Sequence, residues 1–84
     1  SAMMELIKAK TKAEVEALKE CFDLIHNGYF ILWSAGRQGD MWMKFKHSRN
    51  GNILSINVRY DGYDICKMGK KIKSVSMPVE LISN

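Results

Sequence analysis

Trp42, Lys44 and Lys46, with Asn57 and Arg59 beyond them, are the residue types that hold single-stranded nucleic acid. A ring offers a stacking surface, cations follow phosphates, and an amide meets base edges. Residues two apart on a strand point to the same side, so 42, 44 and 46 share one face if the segment is extended. The plain alternative is a solvated sheet face, with lysines serving solubility and Trp42 packed along their stems. Asp64, expected opposite Arg59, neutralises one of these cations.

Arg37, Arg49, Lys67, Lys70, Lys71 and Lys73 add basic residues off this face. They either extend a positive rim along a phosphate backbone or guard an edge strand against pairing. Thirteen Lys and Arg against nine Asp and Glu give a net charge of +4, which favours anionic partners and also lies within what solubility alone produces. The aromatic spacing of RNP motifs, a KH loop, a zinc-finger pattern and a helix-turn-helix are all missing from the sequence.

Catalysis finds less support. Neither His26 nor His47 has a Cys, Asp or Glu at a spacing that suggests a nucleophile, a base or a metal cluster. The glycines stand singly in turns, so no phosphate-cradling loop opens a helix. No catalytic residue, metal ligand or cofactor is therefore expected. A small basic endoribonuclease using Lys, Arg, Tyr and His on a sheet remains a minor alternative. Cys21 and Cys66 are too few and too far apart for a disulfide framework and read as free thiols.

A third reading is recognition of another protein. Phe30, Leu32 and Trp33, with Trp42, Ile53 and Met68, form an apolar patch among charges of the kind interface cores enrich. Such a chain could act as an accessory or inhibitor protein, of the sort mobile elements encode, or as a homodimer.

The elements behind these surfaces begin with Met41–Lys67, which reads as two β-hairpins. Asn50-Gly51 and Asp61-Gly62 favour the paired φ > 0 of two-residue type I′ turns. These turns set Phe45 opposite Ile56, Met43 opposite Val58, Met41 opposite Tyr60, Arg59 opposite Asp64 and Val58 opposite Ile65. Met41, Met43, Phe45, Ile56, Val58, Tyr60, Tyr63 and Ile65 then share a dry face, and His47 lies at its margin opposite Leu54.

Upstream, Met4–Ala9 reads as a short first strand, and Thr11-Lys12-Ala13-Glu14 as a capping box opening a helix. Val15, Leu18, Phe22 and Ile25 form its expected core stripe, and Gly28 its left-handed end. Tyr29–Ala35 is apolar on both faces, as a central or doubly covered strand would be. A loop follows over residues 36–40. Gly69 supplies a third turn, Lys71–Met77 a basic edge strand, and Pro78 its end.

The expected fold is α+β: an antiparallel meander of four to five strands in β-α-β-β-β-β order, with one amphipathic helix on one face. Residues 1–3 read as a tag-cleavage remnant, 4–78 as one domain and 79–84 as a tail. No apolar run approaches the roughly 20 residues that cross a bilayer, so a cytoplasmic protein without a membrane partner is expected.

Overall fold

A computed structural model of the protein describes residues 2–37 and 40–77, with the backbone alone described for Ala2, Leu6, Arg37 and Asp40. One helix, α1 (Ala2–His26), precedes five strands: β1 (Tyr29–Arg37), β2 (Asp40–His47), β3 (Ile53–Arg59), β4 (Gly62–Lys67) and β5 (Lys70–Ser76). The strands form one antiparallel sheet in the order β1-β2-β3-β4-β5, and α1 lies across one face, on β3 and β4. The class is α+β, a meander with one helix on one side, as the patterning predicts.

Met4–Ala9 is helix, not strand, so the order is one helix followed by five strands. From Ala2 to His26 the chain has neither Gly nor Pro and is rich in Ala, Leu, Lys and Glu, strong helix formers that leave no reason to stop at Thr11. The expected capping box does not form. The Thr11 hydroxyl donates to the Ile7 carbonyl one turn back at 2.9 Å, and Glu14 pairs with Lys10 at 3.7 Å. The helix ends where predicted: the Asn27 amide donates to the Asp23 and Leu24 carbonyls, and Gly28 takes φ +92°.

The face that α1 turns to the sheet is the reverse of the expected one. Ala9, Ala13, Ala17 and Cys21, each four residues after the last, are buried, while Val15, Leu18, Phe22 and Ile25 are exposed. Small residues let the helix backbone settle close onto a sheet already filled by Phe45 and Ile56, the largest fully buried side chains. On the β5 side, Glu20 accepts from the Tyr63 hydroxyl at 3.0 Å and from Lys73 Nζ at 2.7 Å. On the β2 side, the Cys21 thiol meets Met43 Sδ at 3.3 Å, and burial pushes that thiol's pKa up.

Both central hairpins are paired two residues away from the predicted register. Met43 opposes Ile56 and Phe45 opposes Leu54, because the β2–β3 loop spans residues 48–51 and His47 and Asn52 close it with a 2.9 Å bond. Val58 opposes Tyr63 and Asn57 opposes Asp64, because the second turn is Tyr60-Asp61 and Gly62 already belongs to β4. A slip of two preserves the face of every side chain, so the dry and wet surfaces hold. Met43, Phe45, Leu54, Ile56, Val58, Tyr63 and Ile65 are buried; Tyr60 is not, being carried into the turn with Lys10 Nζ 5.6 Å from its ring centre.

Gly62 is required by closeness rather than by its φ. A Cβ there would overlap the Val75 carbonyl oxygen of β5. The two-residue turn with φ > 0 at both positions is Met68-Gly69, at +50° and +83°.

β1 is an edge strand, contrary to the expectation that an apolar run on both faces is central or covered. Its one neighbour is β2, and Phe30, Ile31, Leu32 and Trp33 are all about half exposed. β5 is the other edge, as its lysines predict. Gln38, Gly39, Pro78 and the tail 79–84 lie outside the described residues. No described helix is long and apolar enough to cross a membrane.

Candidate nucleic-acid interface

The face away from α1 is built from the ladder upward. Directly paired residues of antiparallel strands stand on the same side, so three rows can be traced across the sheet. One runs Trp33, Lys44, Ser55, Cys66, Lys71; a second runs Ala35, Trp42, Asn57, Asp64, Ser74; a third begins Phe30, Lys46, Ile53. Among the described residues no element lies over these rows.

Strict alternation along β1 would send Trp33 to the helix side with Ile31. The register shifts between Ile31 and Trp33, leaving Leu32 as the extra residue of a bulge, and this turns Trp33 outward beside Phe30. Trp33 and Trp42 become diagonal neighbours, a separation of roughly 7–8 Å, with Lys44 next to both. Sequence reasoning grouped Trp33 with Trp42 in one apolar patch, but not as diagonal neighbours, since alternation alone cannot locate an extra residue.

The cations divide into free and tied. Asp64 sits in the middle row, where its Oδ1 accepts from the Ser74 hydroxyl at 2.6 Å. Arg59 Nη2 lies 3.4 Å and Lys71 Nζ 3.7 Å from the same carboxylate. The Ser74 hydrogen bond, then the Arg59 and Lys71 charges, hold the Asp64 carboxyl below its usual range against the opposing effect of burial. Arg59 therefore meets Asp64 as the sequence implies, though its ladder partner is Gly62. Its Nη1 is buried without a hydrogen-bond acceptor, 3.6 Å from Asp61.

Lys44 and Lys46 have no carboxylate partner among the described ion pairs. Lys73 leaves the group: its ladder partner is inward-facing Ile65, and its ammonium is held by Glu20 on the helix side. Lys70, in the last hairpin opposite Lys67, and Arg49, in the β2–β3 loop, are exposed rim residues. The backbone of Arg37 pairs with Asp40, and its side chain lies outside the described residues. The structure thus brings together Trp42, Lys44, Lys46, Asn57 and Arg59, adds Phe30 and Trp33, and separates Lys73.

Beside Lys44 lies a shallow depression of about 410 Å³ lined by Ile53, Ser55, Cys66, Met68 and Gly69. Cys21 and Cys66 are both free thiols, as expected.

His47 is committed to the fold. Its Nε2 lies 2.9 Å from the Asn27 carbonyl and its Nδ1 accepts from the Arg49 and Asn50 amides at 3.1 and 3.3 Å, which assigns the proton to Nε2. Tyr29 meets the ring edge-on at 4.8 Å. Both nitrogens are engaged in tying the helix end to the β2–β3 loop. Among the described residues, no three His, Cys, Asp or Glu side chains come together as a metal site. Compared with known proteins, the chain matches no family model, no curated protein and no solved structure.

Proposed function

We propose that the chain is a non-enzymatic module that binds single-stranded nucleic acid on the outer face of its sheet, with a regulatory or accessory role. One observation carries this reading: Trp33 and Trp42 stand diagonally across β1 and β2, with Lys44 and Lys46 beside them, and among the described residues no carboxylate pairs with these lysines and no element covers the face. Bases stacked on such rings gain about 1–3 kcal/mol each, and the lysines meet the phosphates between them. Recognition is expected to be tolerant of sequence, because every base has a stacking face while Asn57 is the one amide in the rows. The engagement of both His47 nitrogens argues against a ribonuclease that uses this imidazole as a base.

Fluorescence anisotropy of a labelled single strand of about 12 nucleotides tests the reading. Trp33→Ala and Trp42→Ala should each weaken binding by roughly 5- to 150-fold, the factor that about 1–3 kcal/mol implies. Lys44→Ala with Lys46→Ala should reduce the slope of log K against log salt by about 1.4, at roughly 0.7 per phosphate contact on a single strand. An oligonucleotide that fails to bind in low salt, or affinity indifferent to both tryptophans, overturns the proposal. The half-exposed Phe30 and Trp33 with exposed Met68 favour a second reading, a protein partner on the same face. A partner captured in high salt and lost with Trp33→Ala would support that reading instead.

A further inference from the structure

We infer that the chain forms a homodimer through the solvent-facing side of α1, with two copies of the helix packed antiparallel. Ile7, Thr11, Val15, Leu18, Phe22 and Ile25 follow one another at steps of four, four, three, four and three. This alternation keeps a stripe on one side of a helix and is the spacing by which side chains of one helix fit between those of another. The stripe does not belong to the fold of a single copy: α1 faces the sheet with Ala9, Ala13, Ala17 and Cys21, and Phe22 is 61% exposed. An apolar band of this length stands at the upper end of what a lone small domain leaves in water, where patches are often functional.

The occupant is argued from three features. A seam of alternating three- and four-residue steps is complemented by another helix of the same spacing, and the helix this chain can supply is α1 of a second copy. Covering five large side chains that are each 44–61% exposed along the length of the helix makes a contact on the scale of the smallest stable specific interfaces, about 1,200 Å² in total. Charge sets the direction. Residues 2–13 of the helix carry Lys8, Lys10 and Lys12 against Glu5, a net +2, and residues 15–26 carry Glu16, Glu20 and Asp23 against Lys19, a net −2, with Glu14 at the middle. Antiparallel copies set basic halves against acidic ones and oppose the helix dipoles; parallel copies set like against like. Along the seam, Lys19 already meets Glu16 at 3.1 Å and Lys10 meets Glu14 at 3.7 Å, so no net charge crowds the contact.

This surface is on the opposite side of the sheet from the tryptophans, so the dimer does not depend on nucleic-acid binding and would present two outward binding faces. Sedimentation equilibrium of the full chain without nucleic acid is the test. The wild type should be a concentration-dependent dimer with a midpoint in the micromolar range, about what the smallest specific interfaces achieve. Leu18→Glu and, separately, Phe22→Glu should weaken association about 100-fold or more while circular dichroism and cooperative unfolding persist. Leu32→Lys on the β1 edge should leave association unchanged. A wild type that stays monomeric at about 200 µM overturns the inference. So does a dimer that survives both helix substitutions, or one that Leu32→Lys alone dissolves, since either places the contact elsewhere.

Discussion

Replacing Ala17 by leucine should cost far more stability than replacing the next residue, Leu18, by glutamine, although the first change adds apolar bulk and the second removes it. Ala17 is 0% exposed and packs in the cluster that holds Ala13, Cys21, Phe45 and Ile56. Three added carbons have nowhere to go unless the helix rises from the sheet, and overpacking of this kind costs about 1–3 kcal/mol. The upper end applies because Phe45 and Ile56 are themselves fully buried and cannot yield. Leu18 is 44% exposed, so its removal forfeits about half of the roughly 1.5–3 kcal/mol of a fully buried side chain, and glutamine propagates a helix about as well.

Thermal unfolding reads the difference. At about 4–8 °C per kcal/mol for a domain of this size, Ala17→Leu should lower Tm by roughly 12–24 °C and Leu18→Gln by roughly 3–12 °C, half as much or less at any one conversion factor. The measurement belongs at a concentration well below the association midpoint, where helix-to-helix association makes no contribution; at higher concentration the Leu18 variant should lose additional apparent stability. If Leu18→Gln proves as costly as Ala17→Leu at low concentration, α1 faces the sheet with its large side chains, and both roles assigned to the helix fall.

Gly62→Ala should cost about 2 kcal/mol or more, because the new Cβ would overlap the Val75 carbonyl; amide exchange should quicken through Lys70–Ser76 while β2 stays protected. Tyr63 has its pKa pushed up to about 12, first by burial and then by its hydrogen bond to Glu20 and the nearby negative charges. Since the folded value lies above the unfolded one near 10, its contribution of roughly 2–3 kcal/mol is whole below pH 10 and is lost as pH rises toward 12, and Tyr63→Phe should flatten that decline in urea titrations. Asp64, whose folded pKa is lowered chiefly by Ser74, contributes stability above the unfolded carboxylate range that fades as pH falls below about 4. Asp64→Asn should abolish that fading and, by releasing Lys71 and leaving Arg59 with Asp61 as its one carboxylate partner among the described residues, tighten oligonucleotide binding about threefold or more; unchanged affinity would set both cations outside the binding track.

The sheet was legible in the sequence to within an even number of residues, and the reason is local chemistry. Asn50-Gly51 carries a two-residue turn signal, but the His47 imidazole, by accepting the Arg49 and Asn50 amides, stabilises a longer loop that no dipeptide rule anticipates. Asp61-Gly62 misleads differently: its glycine answers the approach of β5, a long-range demand, rather than a local φ. Both errors shift pairing by two, so the assignment of faces, which rests on period-two alternation, is untouched. The helix shows the opposite failure. Two stripes of usable spacing exist, and side-chain size favours the wrong one; the legible sign was the repetition of small residues at 9, 13, 17 and 21, which marks close approach to a partner surface.

The site was legible where alternation holds and illegible where the backbone departs from it. Trp42, Lys44 and Lys46 follow from parity along β2, whereas Trp33 joins them through the extra residue at Leu32, and YFILWSA contains nothing that singles out its position. Deleting Leu32 separates the two contributions. With Ile31 still opposite Phe45 and Trp33 still opposite Lys44, a shortened β1 becomes a regular strand whose tryptophan keeps its place. The deletion should therefore leave oligonucleotide affinity within about threefold of the wild type and stability nearly unchanged, since an edge strand gives up one half-exposed side chain and no ladder bond. A folded deletion variant that loses binding as completely as Trp33→Ala would mean that removing one residue reversed Trp33, and hence that the bulge lies elsewhere in the strand and the paired tryptophans do not form the binding surface.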